Sequence, residues 1–147
     1  MRINTYTDYA LRVLMHAAAR SPQLVTIQEV ATSFGISRNH LTKVIHELAR
    51  AGFLETQRGR SGGFTLARPA IKIRIGDVVR FGEAEIPLVE CFDPIRNACV
   101  VTPICKIKHQ LHEALQAFYA VLDKYTLADA AQSRDGVLRH LGLPAGH

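Results

Sequence analysis

Seven apolar residues, Ile104, Ile107, Leu111, Ala114, Phe118, Val121 and Tyr125, recur at intervals of 3-4-3-4-3-4, the clearest periodicity in the chain. That alternation lays one apolar row along one side of an α-helix and is the pattern of a coiled-coil seam. From Pro103 to Tyr125 such a helix spans roughly 33 Å at about 1.5 Å per residue, longer than a small domain needs to cover its own core. The spacing therefore predicts that a second copy covers it. The chain has 147 residues, 48% of them apolar, enough for one compact core. The chain is expected to be mainly α.

Upstream, shorter elements follow in quick succession. Ala10, Leu11, Val13, Leu14, Ala17 and Ala18 predict a helix over 7–19, ended by Ser21-Pro22, with Asp8 in its first turn where a carboxylate suits the helix dipole. Thr26 and Glu29 have the spacing of a capping box, flanked by Val25 and Val30 as a hydrophobic staple. Ile27, Val30, Ala31 and Phe34 form the stripe of a short helix, Gly35 turns the chain, and Ser37 caps the next helix, whose Leu41, Val44, Ile45 and Leu48 face inward. The period then changes to that of a hairpin: Phe53–Gln57 outward, Arg58-Gly59-Arg60-Ser61-Gly62-Gly63 as the turn, Phe64–Ala67 back. A short helix is expected from Ile75 to Phe81. The expected fold is therefore mainly α with a small β wing, a winged helix-turn-helix with a long C-terminal dimerisation helix, and it divides into a winged helix-turn-helix DNA-binding unit over 1–81, a cysteine-rich loop over 82–105, the long helix over 103–125, and a terminal segment over 126–147 that packs on the body.

The charge is unevenly placed. Residues 1–75 hold 11 Lys and Arg against four Asp and Glu, while residues 76–147 hold seven against nine. A polyanion suits the first half, and self-association or sensing the second. Because the major groove of duplex DNA admits one helix, Ser37, Arg38, Asn39 and His40 at the start of the second helix are placed to read base edges, Arg38 and Asn39 foremost. Lys43 and Arg50 suit backbone phosphates, as do Arg58 and Arg60 at the wing tip. Thr26, Ser61 and Gly62 complete the DNA-contacting set. Two such units in a dimer call for double-stranded DNA with an imperfect inverted repeat.

Cys91, Cys99 and Cys105 all fall in the poorly periodic stretch after the DNA-binding unit. Their spacing is neither a pair of zinc knuckles nor a C-x-x-C redox motif. Three thiolates suit an iron-sulfur cluster or zinc, each of which calls for a fourth ligand. Asp8, Asp93, His109 and His112 are candidates, and from the residues alone the metal stays open between the two. Nothing in the sequence supplies an enzyme's catalytic group or substrate pocket. No stretch has the roughly 18 apolar residues of a membrane span, and the start, Met1-Arg2-Ile3-Asn4-Thr5, lacks a signal pattern, so a cytoplasmic protein is expected.

Three runs carry a resemblance: Tyr6-Thr7-Asp8-Tyr9-Ala10-Leu11-Arg12, Ser37-Arg38-Asn39-His40-Leu41 and Arg58-Gly59-Arg60-Ser61-Gly62-Gly63. With Ile73-Arg74-Ile75-Gly76-Asp77-Val78-Val79, the three-cysteine loop and Tyr125-Thr126-Leu127-Ala128-Asp129, they follow the order found in the winged-helix iron-sulfur transcriptional regulator family, which the chain resembles over nearly its whole length. The nitric-oxide-sensing branch is the closer match. The resemblance implies a nitric-oxide-sensitive repressor that binds operator DNA as a homodimer and is released on cluster nitrosylation. It also implies that Cys91, Cys99 and Cys105 hold a [4Fe-4S] cluster, with [2Fe-2S] the alternative, and that Asp8 from the other subunit is the fourth ligand. The cluster-biogenesis branch of the family has a histidine three residues after the third cysteine, where this chain has Lys108 and only the next residue is His109. An iron-sulfur or redox-sensing regulator of cluster biogenesis is the alternative within the family, and a zinc-containing dimeric interaction protein the alternative outside it.

Overall fold

The computed structural model describes residues 1–145. Helix α1 (Thr5–Arg20) starts where the side chain of Asn4 accepts the Thr7 N–H at 2.7 Å, and stops at Ser21, since a residue preceding proline disfavours the helical region. Ala10, Val13, Leu14 and Ala17 form its buried face and run through the centre of the core. Helix α2 (Ile27–Phe34) is capped by Thr26, whose hydroxyl accepts the Glu29 N–H at 3.1 Å, and ends on Gly35 at φ 64°, a left-handed conformation that favours glycine. The side chain of Ser37 caps helix α3 (Arg38–Arg50), whose Leu41, Val44, Ile45 and Leu48 pack inward as the stripe predicts.

Strands β1 (Leu54–Gln57) and β2 (Gly63–Leu66) pair antiparallel, Leu54 opposite Leu66 and Gln57 opposite Gly63, within a residue of the expected hairpin. Val25 adds a bridge on the other side of β2, exchanging hydrogen bonds with Phe64 at 2.9 and 2.8 Å. The wing is thereby anchored to the residue just before the Thr26 cap. A Cβ at Gly63 would meet the Val25 carbonyl and one at Gly62 the Gln57 carbonyl, while Gly59 turns the tip at φ 107°. These glycines are explained by the packing of the hairpin itself.

Helix α4 (Ile75–Glu83) runs two residues beyond the expected end. The long helix is shorter than its periodicity: α5 covers Lys106–Leu122, not 103–125. Thr102–Ile104 forms a 3-10 turn with Pro103 inside it, and Cys105 adopts extended backbone as the α5 cap. At the other end Asp123 caps the helix and turns its carboxylate to Arg80 of α4, with Nη1 and Nη2 each 2.7 Å from an oxygen. The apolar row also divides. Leu111 and Phe118 are half-buried, whereas Ile104, Ile107, Val121 and Tyr125 remain 82, 64, 51 and 52% exposed.

The chain then returns to α1 through two short helices, α6 (Leu127–Ala130) and α7 (Arg134–His140), placing Leu127 and Leu138 in the core. Arg134 Nε donates to the Ala19 carbonyl at 2.8 Å, and Ser33 Oγ to that of Leu141 at 2.9 Å. The last two residues of the expected 126–147 segment lie outside the described residues. Among the described residues no helix is long and apolar enough to cross a membrane.

Candidate nucleic-acid interface and thiol loop

The inward stripe of α3 leaves the opposite side in water. Ser37, Arg38, Asn39, His40, Lys43 and Arg50 are all exposed, the first four around the helix start. Arg58, Arg60 and Ser61 are exposed at the wing tip, and Gly62 is half-buried beneath them. Thr26 is exposed with its hydroxyl engaged in capping α2. Arg50 lies 3.7 Å from Glu47, whereas among the described residues Arg38, Lys43, Arg58 and Arg60 have no carboxylate within ion-pair distance. Four cations without local partners, on one helix and the neighbouring hairpin, are available to an external polyanion.

Behind α3, the residues of α1 form a connected series. Asp8 pairs with Arg12 one turn along, at 2.8 Å to Nη2 and 3.2 Å to Nε. The Arg12 guanidinium lies 5.9 Å from the centre of the Tyr9 ring and 5.7 Å from that of Phe34, and Tyr9 sits 6.3 Å from the His40 ring in the first turn of α3. Asp8 thus connects through Arg12 and Tyr9 to the expected reading surface. Deeper in the core, His16 is fully buried, with Nε2 3.2 Å from Glu29 Oε1; burial lowers its pKa, partly opposed by Glu29. Burial, aided by Glu47, pushes the Tyr6 hydroxyl up to about 12.

The three cysteines lie in a loop ordered by its own polar side chains. Asp93 Oδ1 accepts the N–H groups of Ile95 and Arg96, Glu90 Oε1 that of Ala98 at 2.6 Å, and Asn97 Oδ1 that of Cys99 at 3.1 Å. Asn97 Nδ2 reaches Thr102 Oγ1 at 3.0 Å, and Cys105 Sγ accepts the Lys108 N–H at 3.4 Å as the α5 cap. All three thiols are free, Cys99 exposed and the other two half-buried. Cys91, Lys108 and His112 line one open groove, with His112 edge-on to Phe92 at 5.9 Å.

The donor types fit an iron-sulfur cluster: three unpaired thiols on one loop, and a half-exposed carboxylate elsewhere. The arrangement within a single chain does not close such a site. Among the described residues, no three His, Cys, Asp or Glu side chains come together as a metal-binding group. Asp8 is turned to Arg12, Asp93 is occupied by the loop backbone, and His109 is exposed on α5. The parts played by Arg12, Tyr9 and Asn4 escaped the sequence reading. The i,i+4 spacing of Asp8 and Arg12 was a usable signal for the first, whereas the ring contact between Tyr9 and His40 has no local signature.

The Rrf2 family model, described as an iron-dependent transcriptional regulator, matches residues 3–133. The HTH-type transcriptional regulator NsrR of Bacillus subtilis is 47% identical over 97% of this chain and 99% of its own length. The NsrR of Geobacillus kaustophilus is 48% identical over 91 and 92%. Among solved structures, the oxidized form of Staphylococcus aureus CymR superposes with a TM-score of 0.70 at 26% identity, covering 89% of this chain and 96% of that one. IscR of T. potens superposes at 0.73 with 23% identity over 93 and 90%, a likeness of fold.

Proposed function

This chain belongs to the Rrf2 family of transcriptional regulators, and from that premise we propose that it is a nitric-oxide-sensitive iron-sulfur repressor that binds operator DNA as a homodimer. The observation that carries the reading is the pairing of two features in one chain: a reading helix and wing with unpaired cations, and a loop with three free thiols. Ser37, Arg38, Asn39 and His40 address base edges, and Thr26, Lys43, Arg50, Arg58, Arg60, Ser61 and Gly62 address the phosphate backbone of an imperfect inverted repeat. The exposed row of Ile104, Ile107, Val121 and Tyr125 gives a second copy an apolar surface to cover.

Cys91, Cys99 and Cys105 would hold a [4Fe-4S] cluster, with Asp8 donated by the other subunit. When bound, that cluster supplies iron for which nitric oxide is a ligand. The remaining chemistry belongs to the protein's own side chains. Asp8 has two competing uses, the partner's thiol loop or Arg12, and when it turns to Arg12 it sets what the guanidinium and the Tyr9 ring present to His40. A shift in α3 worth about 1.4 kcal/mol changes operator affinity tenfold.

The test is anaerobic purification with iron and sulfide analysis, then binding to a duplex selected from a random pool, before and after stoichiometric nitric oxide. The expected outcome is a cluster-bearing dimer whose affinity falls at least tenfold on treatment. An affinity indifferent to nitric oxide refutes the assignment.

A further inference from the structure

One residue fastens the first turn of α1 to the last turn of α4. All the polar groups of Asn4 are engaged. Oδ1 accepts the Thr7 N–H at 2.7 Å, and its carbonyl accepts the Asp8 N–H at 3.1 Å. Nδ2 donates to the Gly82 carbonyl at 2.8 Å, and its backbone N–H donates to Glu83 Oε1 at 2.9 Å. The first two bonds hold α1 and the other two cross to α4. Oδ1 faces a donor and Nδ2 faces an acceptor, so the amide fits in one orientation only. The joint is also close: a Cβ at Gly82 would run into the hydroxyl of Thr7, which is itself fully buried. The Tyr6 and Phe81 rings lie beside it, tilted to one another with centres 6.2 Å apart, and Phe81 meets Phe53 at 5.6 Å, next to the wing.

The position of this joint in the chain gives it its interest. Gly82 and Glu83 end the helix from which the thiol loop hangs, and Asn4 caps the helix that carries Asp8 and packs against α3. Among the described residues, the two Asn4 bonds are the only hydrogen bonds between α1 with its cap and residues 75–105. We infer that Asn4 is a positioning residue that makes α1, and with it α3, follow the root of the thiol loop. Asparagine suits the task and aspartate does not. Aspartate caps a helix equally well, yet it would turn an oxygen toward the Gly82 carbonyl and set a second carboxylate beside Glu83. Asn4→Asp therefore removes the side-chain bond to Gly82 and sets charge repulsion against the bond to Glu83, while leaving α1 capped and the Tyr6–Phe81 packing in place.

The first arm of the test needs no cluster. The full-length apo-protein is alkylated at its thiols with iodoacetamide, and amide hydrogen exchange is followed by mass spectrometry in peptides covering residues 4–10. In the wild type, alkylation is expected to speed exchange there at least tenfold; in Asn4→Asp, exchange is the same with and without alkylation. Asn4→Ser, which keeps a capping oxygen and loses the amide group that reaches the Gly82 carbonyl, gives the same result and carries the test should Asn4→Asp not fold. Exchange in the wild type that ignores alkylation, or that responds equally in the variants, overturns the inference. The second arm rests on the function proposed above: the affinity ratio before and after nitric oxide, tenfold or more in the wild type, falls below threefold in Asn4→Asp. A wild type indifferent to nitric oxide whose exchange still responds to alkylation refutes that function and supports the joint.

Discussion

Replacing Arg58 and Arg60 by alanine isolates what the wing contributes to DNA binding. Both side chains are exposed at the hairpin tip, and among the described residues neither has a carboxylate partner. Their removal strands no buried charge and opens no cavity, so the melting temperature should stay at the wild-type value. If each neutralises one phosphate, each change lowers the slope of log affinity against log salt by about 0.9. Between about 50 and 200 mM salt, a fourfold change, that is a loss of salt sensitivity of about 3.5-fold per residue and about 12-fold for the pair. Fluorescence anisotropy with a specific and a scrambled duplex, at several salt concentrations, measures it. Affinity should fall for both duplexes alike, with their ratio preserved, because phosphate contacts carry no sequence information directly. Lys124→Ala, an exposed cation beyond α5, is the control and should leave the slope unchanged. A double variant with the wild-type slope and the wild-type ratio refutes the placement of the wing on DNA. A changed ratio with an unchanged slope assigns these arginines to base reading instead.

Two further outcomes follow from the core. Phe64 is fully buried on β2 and exchanges both backbone bonds with Val25; Phe64→Ala should cost about 3–5 kcal/mol in urea unfolding, and a loss below about 1 kcal/mol contradicts its place in the core. His16 is held neutral, its folded pKa lying below the ordinary 6.5, so the unfolded chain binds the proton first as pH falls. Stability should therefore drop from about pH 6.5 downward and level off below the folded pKa, with a shallower drop over that window in His16→Gln; equal pH dependence in the two proteins counts against the assignment.

Much of the DNA-binding unit was legible because its signals are local. The Thr26 and Ser37 caps, the left-handed Gly35 and the two apolar stripes each depend on residues within one or two turns, where backbone geometry fixes which side chains meet. The seam of α5 was legible as a period and misread as a length. Periodicity reports which side of a helix is apolar, and the ends are set elsewhere, here by the extended Cys105 cap and by Asp123 turning to Arg80. Asp8 was read first as a partner of the helix dipole and, through resemblance, as a ligand. The structure adds Arg12 as its immediate partner, a contact that competes with ligation.

The sequence by itself determined the order and kind of the elements from α1 to α5, the basic face of α3 and of the wing, and the gathering of three thiols in one stretch, since each follows from neighbours along the chain. Only the tertiary structure decided that Tyr9 touches His40, that Arg80 closes on Asp123, and that Asn4 joins α1 to Gly82 and Glu83. Those contacts join segments far apart in sequence. Their partners are selected by how helices pack and how closely a glycine lets two backbones approach, and no local period encodes that.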